Sequence, residues 1–392
     1  MIGLALGHAI KHFYQQAFLL LLPSVKTYLG LNDVEIGLIA TTRNVFGAAI
    51  NIPAGMLADI WRSKVGLLLA ASLTSLALGY LIIGITPSYW LLLLGVAITG
   101  CGASFWHAPA FGTLASAYPD RRATSFAVHR MGGSTGDSIA PLTVGLVLGG
   151  FAFWGLEWDG LHWRTLSLFL VAPAGLAALI VLMCFGNAQS DVNNRQSFAT
   201  YFKSAKTMLT NSTIISMVII SGFRSMAHSS LSIFLIIYMS EDLGFSSFKI
   251  GYHVALLTLF GIGSSPLLGW TSDRIGRRPV IAFSLACMSI LVFSLLVFGT
   301  GWSFTLILAL IGLFLYSVNP IMLAAAVDAT PKGTEGSGIA VMFAVPTIVG
   351  GSSPVIAGQL RETFGMDAVF YYVATIVALV TVVSLMVPMK KT

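Results

Sequence analysis

Apolar residues run along the chain in long blocks, not in the alternation of a half-buried strand. Each block has about the length a helix needs to cross the ~30 Å hydrocarbon core of a bilayer. Pro, Gly and charged residues punctuate the blocks and predict twelve helices, near 3–24, 36–58, 65–85, 90–117, 123–150, 164–186, 212–239, 250–271, 279–299, 303–328, 337–360 and 367–389. One hydrophilic stretch, 187–211, carries Asp191, Arg195, Lys203 and Lys206 and divides the helices six and six. The expected fold is an all-α membrane protein: an N-terminal six-helix bundle over 1–186, a cytoplasmic linker over 187–211 and a C-terminal six-helix bundle over 212–392. Within the linker, Phe198 to Leu209 has the pattern of an amphipathic surface helix. The first block begins almost at Met1 and carries polar residues inside it, so it reads as a spanning helix and not as a cleaved signal.

Composition removes the soluble alternatives. Of 392 residues, 56% are hydrophobic and 9% charged, against about 25% charged in a typical soluble domain. The net charge of +6 lies in short loops, where membrane topology explains it, so no nucleic-acid partner is implied. Thirteen basic residues fall on one side: Arg62, Lys64, Arg121, Arg122, Arg195, Lys203, Lys206, Arg274, Arg277, Arg278, Lys332, Lys390 and Lys391. Four fall on the other: Lys26, Arg164, Lys249 and Arg361. The richer side is expected to be cytoplasmic, which puts both termini inside a bacterial-type inner membrane. Cys101, Cys184 and Cys287 all lie in apolar segments without ligand or disulfide spacing, so they read as small buried hydrophobes.

The two halves repeat each other. Residues 29–59 (LGLNDVEIGLIATTRNVFGAAINIPAGMLAD) align without a gap to 243–273 (LGFSSFKIGYHVALLTLFGIGSSPLLGWTSD) at an offset of 214. Leu29, Gly30, Ile36, Gly37, Phe46, Gly47, Gly55 and Asp59 have identical partners, and Pro141-x-x-x-Gly145 matches Pro354-x-x-x-Gly358. An even number of helices separates the copies, so the halves are parallel repeats, the arrangement that suits alternating access by rocking.

Gly55-Met-Leu-Ala-Asp59-Ile-Trp-Arg62-Ser-Lys64 and Gly269-Trp-Thr-Ser-Asp273-Arg-Ile-Gly-Arg277-Arg278 resemble the loop motif of the major facilitator superfamily, between helices two and three and again between eight and nine. The second copy is nearly complete; the first lacks the Gly-Arg pair after its Asp. The resemblance implies that Asp59 and Asp273, with Arg62, Lys64, Arg274, Arg277 and Arg278, brace cytoplasmic helix ends and gate the conformational switch. Gly7-His8 through Gln15-Gln16, Leu22-Pro23, Phe105-Trp-His107-Ala-Pro109 and Gly132-Gly133-Ser-Thr-Gly136 resemble the fosmidomycin-resistance-like branch. That likeness implies export of a small, anionic, phosphonate-like compound.

Four cations remain inside the predicted helices: Lys11, Arg43, Arg130 and Arg224. Each lies roughly 10–15 Å from a helix end and costs about 2.5–3.5 kcal/mol if it faces lipid. They are therefore expected to line an interior cavity. The one clearly intramembrane acid is Asp137, so the cavity is positively unbalanced and a small anionic substrate is the expected cargo. His8, Lys11, His12 and Gln15 share one face of the first helix, with Tyr14 at its edge; Ser221, Arg224, Ser225, His228 and Ser232 form a similar stripe on the seventh. Lys11 and Arg224 are the expected clamp, the Arg making two-pronged oxyanion contacts and the Lys acting as a point charge. Arg43, Arg130, Gln15, Tyr14, His107, His228, Tyr316 and Asn319 complete the expected substrate set. A structural role stays open for Arg130, for Arg43 through pairing with Asp137, and for His107.

No nucleotide-binding Gly-x-x-x-x-Gly-Lys-Ser/Thr run is present, so the expected drive is a proton. Histidine titrates near pH 6.5, so His8, His12, His107, His129, His228 and His253 could each carry a proton, as could Asp137; His8, His12 and Asp137 are the expected coupling groups. Antiport, symport and electroneutral anion exchange all remain open. A membrane-embedded metal enzyme is the rival class. It fails on the sequence because the acids lie mostly in loops and Lys11 sits beside the only i, i+4 histidine pair in the first helix, so no metal, cofactor or catalytic residue is expected. The protein is expected to work as a monomer.

Overall fold

A computed structural model describes residues 1–153, 155–186, 211–328 and 335–387. Among these, sixteen α-helices are arranged as twelve spans. The first half contains α1 (Ile2–Leu29), α2 (Asp33–Ile60), α3 (Val65–Ile85), α4 (Tyr89–Phe105), α5 (His107–Ala117), α6 (Arg122–Gly149), α7 (Trp163–Phe169) and α8 (Val171–Phe185). The second contains α9 (Ser212–Ile237), α10 (Ser247–Ile275), α11 (Arg277–Phe298), α12 (Gly301–Leu315), α13 (Val318–Asp328), α14 (Glu335–Gly351), α15 (Ser353–Phe364) and α16 (Met366–Met386). Among the described residues, eight helical segments are long and apolar enough to cross a membrane, and the chain is a multi-pass membrane protein. The expected amphipathic run Phe198–Leu209, and the side chains of Asp59 and Arg62, lie outside the described residues.

Local chemistry explains where the helices start, stop and break. Asn32 and Glu35 form a reciprocal capping box at the head of α2: Glu35 N donates to Asn32 Oδ1 at 2.8 Å and Asn32 N to Glu35 Oε2 at 2.9 Å. Gly30 ends α1 with φ 63°, a left-handed conformation that glycine adopts without penalty. Four spans are broken, α4–α5, α7–α8, α12–α13 and α14–α15, and each break lies two to four residues before a proline: Pro109, Pro173, Pro320 and Pro354. Proline lacks the N–H that would close the preceding turn, and its ring crowds the carbonyl four residues back. An element absent from the expected pattern is a small hairpin, β1 (Phe151–Phe153) and β2 (Leu156–Trp158), paired antiparallel with Phe151 opposite Trp158.

Packing divides the chain into two compact units. The first comprises Met1–Leu31, Thr42–Arg195 and Met239–Ala255; the second comprises Asn32–Thr41, Gln196–Tyr238 and Leu256–Thr392. These differ from a plain division at the linker by two short segments, the head of α2 and the α9–α10 junction. In the first unit α1 lies directly on α6, because Gly132, Gly133 and Gly136 present bare backbone to it; a Cβ at 132 or 136 would collide with the carbonyl of Ala5 or Ala9. Lys26 pairs with Glu241 at 2.8 Å in the same unit. In the second unit the head of α2 lies on α15 at Gly37 and Gly358, with Arg361 Nη1 bonded to Asp33 Oδ1 at 2.6 Å.

Candidate functional site

In the first unit, the polar face of α1 is buried against α5 and α6. Lys11 is 2% exposed and His8 5%. Lys11 Nζ lies 3.1 Å from His107 Nε2 and 3.3 Å from His12 Nε2. His12 Nδ1 is 2.9 Å from Asp137 Oδ1, and Gln16 Nε2 donates to the same oxygen at 3.2 Å. His8 Nδ1 is 2.8 Å from the His129 carbonyl, and the two imidazole rings stack at 4.0 Å. The expected residues His8, Lys11, His12, His107 and Asp137 therefore meet in one cluster. Their meeting depends on glycine: a Cβ at Gly133 would stand 2.7 Å from His8 Cε1 and 2.9 Å from His12 Cδ2.

Other expected members of this unit are used differently. The Tyr14 hydroxyl donates to the Leu170 carbonyl at 2.5 Å and its ring packs edge-on against Tyr80, so it joins helices. Gln15 supplies its backbone carbonyl to Arg43 Nη1 at 3.2 Å. Among the described residues Arg43 has no ion pair with Asp137, and Arg130 has none with it either. Arg130 is exposed on α6. His129, one of the histidines able to carry a proton, joins the cluster, and so does Gln16, which had not stood among the expected binding or proton groups. Gln16 is one position off the i, i+3, i+4, i+7 stripe, and it reaches Asp137 because α6 crosses so closely.

His8, His107 and His129 bring ring nitrogens within 4.8 Å of one another, which raises the question of a metal. The geometry does not fit one. The His8 and His129 planes are parallel to within 6°, and ring lone pairs lie in the ring plane, so theirs do not converge on a common point. A zinc–nitrogen bond of about 2.0–2.1 Å needs such convergence, and the Lys11 ammonium already stands against His107.

In the second unit, Arg224 of α9 is 8% exposed. Its Nη1 donates to the Leu315 carbonyl at 3.3 Å and its Nη2 to Asn319 Oδ1 at 3.3 Å, while its buried Nε has no partner. The Leu315 carbonyl is available because the α12–α13 break takes away the ordinary helical partner at that helix end. Among the described residues, neither Arg224 nor Lys11 has a carboxylate within ion-pair distance. Near Arg224, the His228 ring packs edge-on against Tyr316, with centroids 5.5 Å apart. The expected quartet Arg224, His228, Tyr316 and Asn319 is thus local to this unit.

The second loop motif forms a knot of charge at the start of α11. Arg277 pairs with Asp273, donates to Ser272 Oγ at 2.8 Å and reaches Asp328 Oδ2 at 3.3 Å. Asp328, at the end of α13, had no expected role. Arg274 lies 3.9 Å over the Trp270 ring, Arg278 is exposed, and Lys64 stands 5.8 Å from the Trp61 ring.

The family model of the Major Facilitator Superfamily matches residues 4–226 and again 217–392. The chain belongs to that superfamily. It is accordingly a secondary transporter of a small molecule and not an enzyme. Superfamily relatives include the fosmidomycin resistance protein of Escherichia coli (strain K12), 22% identical with 94% of this chain and 87% of that protein covered. The phosphoglycerate transporter protein of Salmonella typhimurium (strain LT2) is 21% identical, with 95% and 84% covered. Among solved structures, a bacterial homolog of the human lysosomal transporter Spinster, inward-facing and unoccupied, superposes with a TM-score of 0.84 at 15% identity, over 98% of this chain and 95% of that one. At that identity the likeness speaks for the fold alone.

Proposed function

We propose that this superfamily member moves a small organic anion, a carboxylate or a phosphate- or phosphonate-like compound, across the inner membrane by alternating access coupled to protons. The observation that carries the reading is Arg224: a buried guanidinium held, among the described residues, only by neutral acceptors, with its Nε left without a partner. A buried charge is costly unless something of opposite sign meets it, and the ligand is the remaining candidate. Lys11, seated among imidazoles, makes the same case in the first unit. The phosphoglycerate named for one relative is an anion of this kind. We infer further that the six-helix halves 1–186 and 212–392 are the moving bodies, that the protein acts as a monomer, and that both termini are cytoplasmic. Export driven by protons is the second direction to weigh, favoured by the likeness to the fosmidomycin resistance protein along most of the chain.

A thermal-shift screen on purified protein tests the charge of the cargo. Phosphoglycerate, fosmidomycin and small carboxylates are expected to raise the melting temperature, and a neutral sugar is expected to leave it unchanged. Stabilisation by the sugar with none by the anions would overturn the reading. The charge knot at α11 carries its own expectation. Asp328→Asn removes one of the two carboxylates on Arg277, a contact worth about 1 kcal/mol at a partly exposed site. Turnover in liposomes should change by roughly fivefold while the affinity for the same anion stays constant. Lost affinity at constant turnover would remove Asp328 from the gating machinery.

A further inference from the structure

The contacts of the α1–α6 cluster fix how many protons it holds. His8 Nδ1 faces the His129 carbonyl at 2.8 Å; a carbonyl only accepts, so this nitrogen carries hydrogen. A hydrogen also lies between His12 Nδ1 and Asp137 Oδ1, which are 2.9 Å apart. The remaining contact is His12 Nε2 to His8 Nε2 at 3.1 Å. If Asp137 is a carboxylate and both rings are neutral, each ring has spent its single N–H. Two bare lone pairs would then face each other at hydrogen-bond distance. One further hydrogen is required there.

We propose that Asp137, His12 and His8 hold one exchangeable proton as a single unit, and that Lys11 sets its occupancy. This rests on the anion-transport reading for its purpose but not for its chemistry. With the proton aboard, the chain runs from Asp137 through His12 and His8 to the His129 carbonyl, every contact has one hydrogen, and the unit is net neutral. It is the same whether the proton is drawn on the carboxyl group or on His12. Counted with the adjacent Lys11 ammonium, the loaded site carries one positive charge and the unloaded site none. When the proton leaves, the unit carries one negative charge and His12 Nε2 is bare. Lys11 Nζ, 3.3 Å from that atom, is the group that compensates: its ammonium donates to Nε2 and supplies the positive charge. Proton and Lys11 thus compete for one lone pair. With the proton loaded, Lys11 keeps its 3.1 Å contact with His107. Among the described residues, the other charged and titratable groups acting on the unit are Arg130 and His129 on α6, His107 on α5 and Arg43 on α2.

The sign of coupling follows. An anion that engages Lys11 removes the compensation for the unloaded state and so favours the loaded one. Anion and proton then bind together, a positive linkage that must be reciprocal. Co-transport in one direction is the result, which favours symport over the proton-driven export weighed above.

Solid-state NMR on protein labelled with ¹⁵N-histidine tests the unit without any substrate. At about pH 8, where ordinary histidines are neutral, an Nε2–H···Nε2 cross-peak between two imidazoles is expected. It should vanish in both His8→Gln and His12→Gln and persist in His107→Gln. In Lys11→Met the cross-peak should survive to proton concentrations about tenfold lower, since an opposing cation has gone. Absence of the cross-peak in the wild type at every pH of the titration, its survival in His12→Gln, or an unmoved or reversed response in Lys11→Met would overturn the proposal. Phosphoglycerate should act in the same sense as Lys11→Met. No effect of phosphoglycerate beside an intact Lys11→Met response would count against that anion as cargo and leave the proton unit standing.

Discussion

Arg224→Ala should abolish anion transport and leave the protein melting at the same temperature or higher. The two halves of that expectation come from one observation: among the described residues the buried Arg224 guanidinium has no carboxylate, which is costly in the empty protein and, on the proposed reading, suits it to an anionic ligand. A charge-assisted hydrogen bond contributes about 1.5–3 kcal/mol. Losing a two-pronged contact should therefore weaken anion binding by roughly 10²- to 10⁴-fold. Stability should move the other way or not at all, because the Leu315 carbonyl and Asn319 lose only a weak 3.3 Å bond each while an unpaired buried charge disappears. Phosphoglycerate or fosmidomycin binding by thermal shift, measured beside the melting temperature without ligand, reads both. Arg224→Lys should keep part of the affinity, as a point charge without the fork. Full affinity in Arg224→Ala would show that the cargo does not need this charge.

Gly136→Leu carries the largest expected effect on folding. Any Cβ at 136 enters the space of the Ala9 carbonyl and stands 2.9 Å from Phe13 N. Backbone atoms cannot rotate away as a side chain can, so α1 and α6 must separate. Overpacking of a close contact costs typically about 1–3 kcal/mol, and leucine here adds a whole branched side chain. The variant should fail to give monodisperse protein in detergent, while Gly136→Ala folds with a lower melting temperature. The smaller change also has a functional side. Widening the α1–α6 approach lengthens His12 to Asp137 and Gln16 to Asp137, now 2.9 and 3.2 Å. Gly136→Ala should therefore alter the pH dependence of transport more than the melting temperature alone would suggest. Wild-type stability in Gly136→Leu would show that the helices are not held at this distance.

The twelve spans were legible because hydrocarbon imposes a length and a composition that no other environment does. The predicted boundaries at Val65–Ile85 coincide with the helix, and the others agree to within a few residues at most ends. The breaks inside four spans were written in the prolines, yet a proline alone does not say whether a helix breaks: Pro23, Pro53, Pro141, Pro266 and Pro346 lie inside continuous helices. Of the site, periodicity placed His8, Lys11 and His12 on one face. It could not show that Tyr14 spends its hydroxyl on Leu170, that Gln16 and not Gln15 reaches Asp137, or that Asp328 joins Arg277.

By itself the sequence determined a twelve-span, twice-repeated membrane protein with more intramembrane cations than acids, since apolar length, repeat offset and charge count are properties of the chain alone. Only the tertiary structure decided which cation has a partner and which buried side chains meet. Those depend on distances of about 3 Å between residues more than a hundred positions apart, such as His12 and Asp137. Such distances are set by how closely glycine lets two helices approach, and no single helix encodes that.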